Sequence, residues 1–221
     1  MAEYTKKFVK GFISVSIFLF LTALLGYLFR ILLAKNVSIE SFGLFFAVFS
    51  LVNFLFGFKA FGLGSGTVRF ITEEKIKNST SGIRKIILSY FFLQFFISLF
   101  IIMALLLFSN YIALNYFKDK AAYDILILLV IAFIPTIITT TSASVIHSFK
   151  LTYISTIEFL QALFLLIFTY LFLNYGFDVK APAYAYIISF LIVAIWSIYM
   201  SYKCIPGLKL TGGPYFDKNS F

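Results

Sequence analysis

Apolar residues fall in six long stretches separated by short polar ones: Phe12 to Leu33, Phe42 to Leu63, Ile86 to Phe108, Ile125 to Phe149, Leu151 to Leu173 and Ala183 to Tyr202. Each is near or above the ~20 residues that a helix needs to cross the hydrocarbon core of a bilayer. Together they take up nearly all of the 221 residues, so no room remains for a soluble catalytic domain. The pattern predicts an all-α polytopic membrane protein, and its function has to be sought inside the membrane.

The polar connections add detail. Asn36 to Ser41 reads as a tight extracellular turn, with Ser38 and Ser41 as caps for the second helix and Glu40 against the positive end of its dipole. Gly64 to Lys85 is the longest internal connection, polar and basic, and belongs on the cytoplasmic face. Within it, Val68 to Lys77 reads as a short interfacial helix, with Phe70 and Ile71 against lipid and Glu73, Glu74 and Lys75 in water. The link around Phe149 to Thr152 is nearly absent, which predicts a close antiparallel hairpin of the fourth and fifth spans. Residues 1–205 then form one six-helix unit, and 206–221 a polar cytoplasmic tail.

Composition agrees with this division: 62% of residues are hydrophobic, 12% are charged and the mean hydropathy is +1.00, far from the roughly 25% charged residues of a soluble domain. The net charge of +9 resembles a nucleic-acid footprint only until the basic residues are placed. With the N-terminus inside, Lys6, Lys7, Lys10, the basic residues between the second and third spans, Lys150, Lys203, Lys209 and Lys218 all lie on the cytoplasmic side. Lys35, Lys118, Lys120 and Lys180 lie outside. That bias is the positive-inside rule with both termini cytoplasmic, so the charge reports orientation and implies no nucleic-acid partner. The Lys6, Lys7 and Lys10 cluster does not open a cleaved signal peptide, because the following run is too long and lacks an A-x-A-like site.

Polar residues inside the spans are costly and face a cavity or a partner, so they are the candidates for function. Glu158 lies about two turns into the fifth span, with Gln161 three residues on and on the same face. Two readings are open for this pair: an interhelical structural contact, or the lining of a substrate cavity. Arg30 and Lys59 each lie within a turn or so of a span end. Lys59 is expected to snorkel to the cytoplasmic headgroups, whereas Arg30 would reach outward, where its planar fork suits an anionic headgroup or a pyrophosphate. The fourth span carries Pro135, which should kink it, followed by Thr136, Thr139, Thr140, Thr141, Ser142 and Ser144. Those hydroxyls either satisfy freed backbone groups and hold neighbouring helices, or form a polar lining that slides against substrate.

Other features carry less. His147 is the one histidine, Cys204 the one cysteine, and no carboxylate pair has metal-ligand spacing, so the reading contains no metal, no cofactor and no catalytic residue. Gly62, Gly64 and Gly66 superficially suggest a phosphate loop, yet they follow an apolar helix and lack a Gly-Lys-Ser/Thr ending. They are better read as the flexible end of the second span.

The runs Gly26 to Lys35, Ser38 to Phe45, Gly62-Leu63-Gly64 and Thr67-Val68-Arg69-Phe70 resemble the start of the polysaccharide-transporter, O-antigen flippase-like branch of the multidrug/oligosaccharidyl-lipid/polysaccharide exporter superfamily. The resemblance implies two six-helix lobes facing each other around a cationic cavity, of which this chain covers the first. Pro206 to Phe221 would be the linker towards a second lobe. It further implies flipping of a polyprenyl-pyrophosphate-linked glycan across the cytoplasmic membrane by alternating access, without covalent chemistry. Arg30 matches a basic position that lies towards the cavity in related flippases; Glu158 and Gln161, which match no motif of the family, could hydrogen-bond sugar hydroxyls or couple to a cation. On this reading the partners are membrane lipids, the glycan-lipid and a second lobe, supplied by a homodimer or a separate chain. The alternatives are a half-size or truncated transporter, a non-transporting scaffold of a glycan-assembly complex, and a multidrug exporter lobe.

Overall fold

The computed structural model describes residues 2–59, 62–149 and 152–205. These form helices joined by short turns, with no strand among the described residues. In chain order they are α1 (Ala2–Asn36), α2 (Ile39–Gly57), α3 (Leu63–Ile76) and α4 (Thr80–Leu107). A short α5 (Ser109–Tyr111) then runs into a π-helical turn at Ile112–Tyr116. Beyond it come α6 (Ala121–Phe133), α7 (Thr136–Phe149), α8 (Thr152–Asn174), a 3₁₀ turn at Asp178–Lys180 and α9 (Ala181–Cys204). Among the described residues six helical segments are long and apolar enough to cross a membrane: Gly11–Asn36, Ile39–Gly57, Thr80–Leu107, Ala121–Phe149, Ile154–Asn174 and Asp178–Cys204. These are the six predicted spans: the C-terminal end of the second and the start of the third each differ from the prediction by six residues, and every other limit lies within five.

Helix ends follow their local chemistry. Ser38 precedes α2 in extended backbone, and its hydroxyl accepts a 3.2 Å bond from the Ser41 amide. Ser79 does the same for α4, accepting from the Gly82 amide at 3.1 Å. Between α3 and that cap, Asn78 takes the left-handed conformation that commonly follows a helix end.

α9 is the centre of the bundle and packs on α6, α7 and α8, while α1 lies chiefly on α8, α2 on α6, and α3 on α4 and α7. Only 6% of the apolar stretch of the first span is buried, against 56% for the fourth, so α1 flanks a lobe whose interior is α6 and α7. Lipid is as apolar as a leucine, so close packing and not water exclusion holds such helices together. The buried face of α9 accordingly mixes small residues, Ala181, Ala183, Ala185, Ser189, Ala194 and Ser197, with the larger Tyr186, Phe190 and Val193. Against it and its neighbours sits the main core of Val48, Val52, Leu126, Leu129, Val130 and Phe190.

Several local expectations are corrected. The second span ends at Gly57 and not at Leu63, because Gly62 takes a left-handed φ of 71° and starts a new helix. The glycines at 64 and 66 therefore belong to α3 and not to a flexible span end. This helix also begins five residues before the predicted Val68. Phe70 is exposed as expected, but Ile71 is buried against Ile83, Val145 and Ile205 instead of facing lipid. The expected close hairpin of α7 and α8 gives way to α8 packing mainly on α1 and α9; residues 150 and 151 of that link, like the tail at 206–221, lie outside the described residues.

A buried polar seam at the proline break

Pro135 has no amide hydrogen, so the fourth span cannot continue through it as one α-helix. Helix α6 ends at Phe133 and α7 resumes at Thr136. Across the break the ladder tightens: the Ile134 amide donates to the Ile131 carbonyl at 3.2 Å, and the Ile137 amide to Ile134 at 3.2 Å. The Thr136 hydroxyl donates to the Phe133 carbonyl, capping a group that the break would leave open. The predicted kink at Pro135 is thus a two-residue turn that divides the span into α6 and α7 while backbone bonds continue across it.

Lys59 reaches this break. Its ammonium donates a 2.6 Å hydrogen bond to Thr136 Oγ1 and lies 5.6 Å from the centre of the Phe56 ring, with the residue only 5% exposed. It therefore does not snorkel to the headgroups as expected; the turn after Gly57 points its stem inward. No acidic side chain pairs with it among the described residues, and burial pushes its ammonium down to about 8.

One turn further along α7, the Thr140 hydroxyl lies 2.8 Å from the Thr136 carbonyl and 3.1 Å from Gln94 Oε1. Gln94 is fully buried and its amide nitrogen donates to the Tyr90 hydroxyl at 2.7 Å. Either orientation of the amide keeps both contacts, because hydroxyls donate and accept. α3 packs over this pair at Gly64, where a side-chain carbon would stand in ordinary contact at 3.5 Å from the Tyr90 hydroxyl and 3.7 Å from Ser144 Oγ. The remaining hydroxyls mostly bond back to their own helix, as Thr139 does to Pro135, Thr141 to Ile137 and Ser144 to Thr140. The hydroxyl cluster therefore serves both backbone satisfaction and the joining of α7 to α4 and the end of α2. Gln94 escaped the sequence reading, although a lone amide in the run Tyr90-Phe91-Phe92-Leu93-Gln94-Phe95 is a visible signal.

The substrate-binding candidates are not gathered in one place. Arg30 is exposed on α1 beside the buried Phe29, whose ring meets Phe46 and Tyr186. Its guanidinium makes no hydrogen bond or ion pair among the described residues. Glu158 is exposed on α8 and Gln161 is half-buried, and the two make no hydrogen bond to each other. Phe18 of α1 touches Phe159 of α8 at 5.6 Å, and Arg30 lies twelve residues further along α1. At ~1.5 Å per residue Arg30 and Glu158 are ~18 Å apart along the helix axes, at opposite ends of the α1–α8 pair.

Glu158 has a further property. Leu165 and Thr169, seven and eleven residues on, share its helical face and are buried at 7% and 0% exposure. On that face Glu158 itself is exposed, although Ser155 and Ile157 beside it are buried.

Comparison with known proteins bears on this architecture. The model of a family described as polysaccharide biosynthesis protein matches residues 8–219. An uncharacterized membrane protein of Methanocaldococcus jannaschii is 28% identical over 204 residues, an alignment that covers 87% of this chain and 40% of that protein. The chain thus spans well under two thirds of the length of this curated relative. No solved structure matches the chain.

Proposed function

We propose, because this chain belongs to the polysaccharide biosynthesis protein family, that it forms one lobe of a transporter that flips a lipid-linked oligosaccharide or polysaccharide precursor across the cell membrane. Transport is by alternating access: two six-helix lobes rock about a midplane site, and the polar head crosses while the lipid tail stays in the bilayer. The second lobe comes from another copy, a separate chain or a further part of a longer protein. Both ends of the present chain face the cytoplasm, in keeping with its basic loops. The step makes and breaks no covalent bond.

The observation that carries this reading is the guanidinium of Arg30, inside an apolar span of a chain of this family and without a partner among the described residues. An arginine there is costly unless something anionic meets it, and its fork suits the two oxygens of a phosphate. Glu158 and Gln161, at the other end of α8, would then meet sugar hydroxyls at a different stage of the crossing, since ~18 Å separates them from Arg30. The Pro135 break, bridged by few backbone bonds, provides the place where the fourth span flexes as the lobe moves.

The test is reconstitution. The chain is purified in native-lipid nanodiscs, its assembly mass is measured, and the resulting assembly is placed in proteoliposomes with a fluorescent polyprenyl-pyrophosphate oligosaccharide. The expected result is a two-lobed assembly that moves the probe to the opposite leaflet. A two-lobed assembly that leaves the probe where it was inserted would overturn the reading.

A further inference from the structure

The end of the lobe that carries α3 holds a groove for which the transport step has no use. It lies between α3 and α4 and has a volume of about 480 Å³, within the roughly 300–1,000 Å³ of small-ligand sites. Its walls are the apolar side chains of Leu63, Phe70, Ile86 and Leu93, with Lys85 also in the lining. Lys85 stands where the apolar run of α4 begins, and Leu93 follows eight residues later, ~12 Å deeper at the helical rise of ~1.5 Å per residue. The groove therefore extends from headgroup depth into the hydrocarbon.

Its charge is positive and unanswered. On α3, Arg69 pairs with Glu73 at 3.0 Å and Lys77 with Glu74 at 2.7 Å, so those cations are already matched. Lys85 has no ion pair or hydrogen bond among the described residues. An apolar channel with a free ammonium at its mouth is complementary to a molecule with one long hydrocarbon chain and an anionic head. α3 itself, with Phe70 exposed beside its charged residues, has the character of a helix that lies in the interface.

We propose that the α3–α4 groove binds one acidic phospholipid, with an acyl chain along Leu63, Phe70, Ile86 and Leu93 and the headgroup phosphate on Lys85. Gly66 keeps the channel open: a side-chain carbon there would meet nothing within 4 Å, so a larger residue has room to grow into the groove.

The test is native mass spectrometry of the full chain, released from nanodiscs that contain equal amounts of phosphatidylglycerol and phosphatidylcholine. The native chain is expected to keep one phosphatidylglycerol in preference to phosphatidylcholine. Lys85→Ala should lower that preference roughly fivefold, the worth of one cation at a membrane surface, and Lys85→Arg should keep it. Gly66→Leu should remove both lipids. Should Gly66→Leu fail to fold, the Lys85 pair still decides. Equal retention of the two lipids by the native chain, or unchanged phosphatidylglycerol in Lys85→Ala, would overturn the proposal. So would loss of the adduct to millimolar inorganic phosphate, which would mark an anion site with no place for the chain.

Discussion

The Lys59 ammonium and the Thr136 hydroxyl, 77 residues apart in sequence, meet at 2.6 Å and fasten the end of α2 to the residue that restarts the helix after Pro135. The bond supplies one partner for a group that has three hydrogens and no counter-charge, so most of the cost of burying the charge stands. Below about pH 8 this lysine is charged in both the folded and the unfolded chain, and above 10.5 it is neutral in both. Between those values the unfolded chain holds the proton and the folded chain releases it, so stability should rise with pH across that window. Lys59→Met should lack that rise, and at pH 7 should be at least as stable as the native chain. Thermal unfolding in nanodiscs from pH 7 to 10.5 checks both, and an unchanged slope in the variant would assign the titration elsewhere.

Gln94 ties α4 to α7 through Tyr90 and Thr140, and its removal leaves the two hydroxyls unequal. Thr140 still has the carbonyl of Thr136 at 2.8 Å, whereas Tyr90 loses the one hydrogen bond described for its hydroxyl. Gln94→Leu should cost about 1–3 kcal/mol, the range for a buried polar group left unmatched. Tyr90→Phe leaves the buried Gln94 amide nitrogen without that partner and should cost a similar amount, and the double variant less than the sum, because neither orphan then remains. Denaturant midpoints of the three variants decide this; strict additivity would mean that the two side chains do not act as a pair.

The six spans are legible in the sequence because length and apolarity alone decide them, and Ser38 is legible as a cap because its role is local. Lys59 is not, since a four-carbon stem at a span end can reach outward or fold back, and the choice depends on Thr136, which only the tertiary fold brings near. Ile71 is misread for a related reason: on an interfacial helix the buried stripe is set by where α4 and α7 pack, and periodicity leaves that open. Arg30 and Glu158 stand out correctly as charges inside spans. Their separation is invisible in sequence, because it follows from the register of α1 on α8 that the Phe18–Phe159 contact sets.

Arg30 is exposed and meets no partner among the described residues, so its replacement should leave the fold nearly untouched and act on transport. Loss of two charge-assisted hydrogen bonds to a phosphate, at roughly 1.5–3 kcal/mol each, predicts a fall in flipping of at least about a hundredfold for Arg30→Ala. Arg30→Lys should recover part of the rate, because an ammonium keeps the charge and loses the bidentate fork. Leaflet exchange of the fluorescent probe, measured beside thermal stability, separates the cases. Normal flipping by the alanine variant would remove Arg30 from the site.

Glu158 is exposed on a helical face on which Leu165 and Thr169 are buried further along, so its carboxyl is accessible while its helix is held by packing. If it serves as a hydrogen-bond partner for sugar hydroxyls, the amide of glutamine can replace it, and Glu158→Gln should keep the flipping rate within about threefold. Glu158→Leu has the same reach without any polar atom and should lose roughly tenfold, the equivalent of one hydrogen bond at about 1.4 kcal/mol. A coupling role for a titrating carboxylate gives the opposite pattern, with the glutamine variant as defective as the leucine variant and the native rate steeply dependent on pH. Flipping rates of the three proteins from pH 5 to 9 distinguish the two roles, because hydrogen bonding ranks the variants by polarity and coupling ranks them by charge.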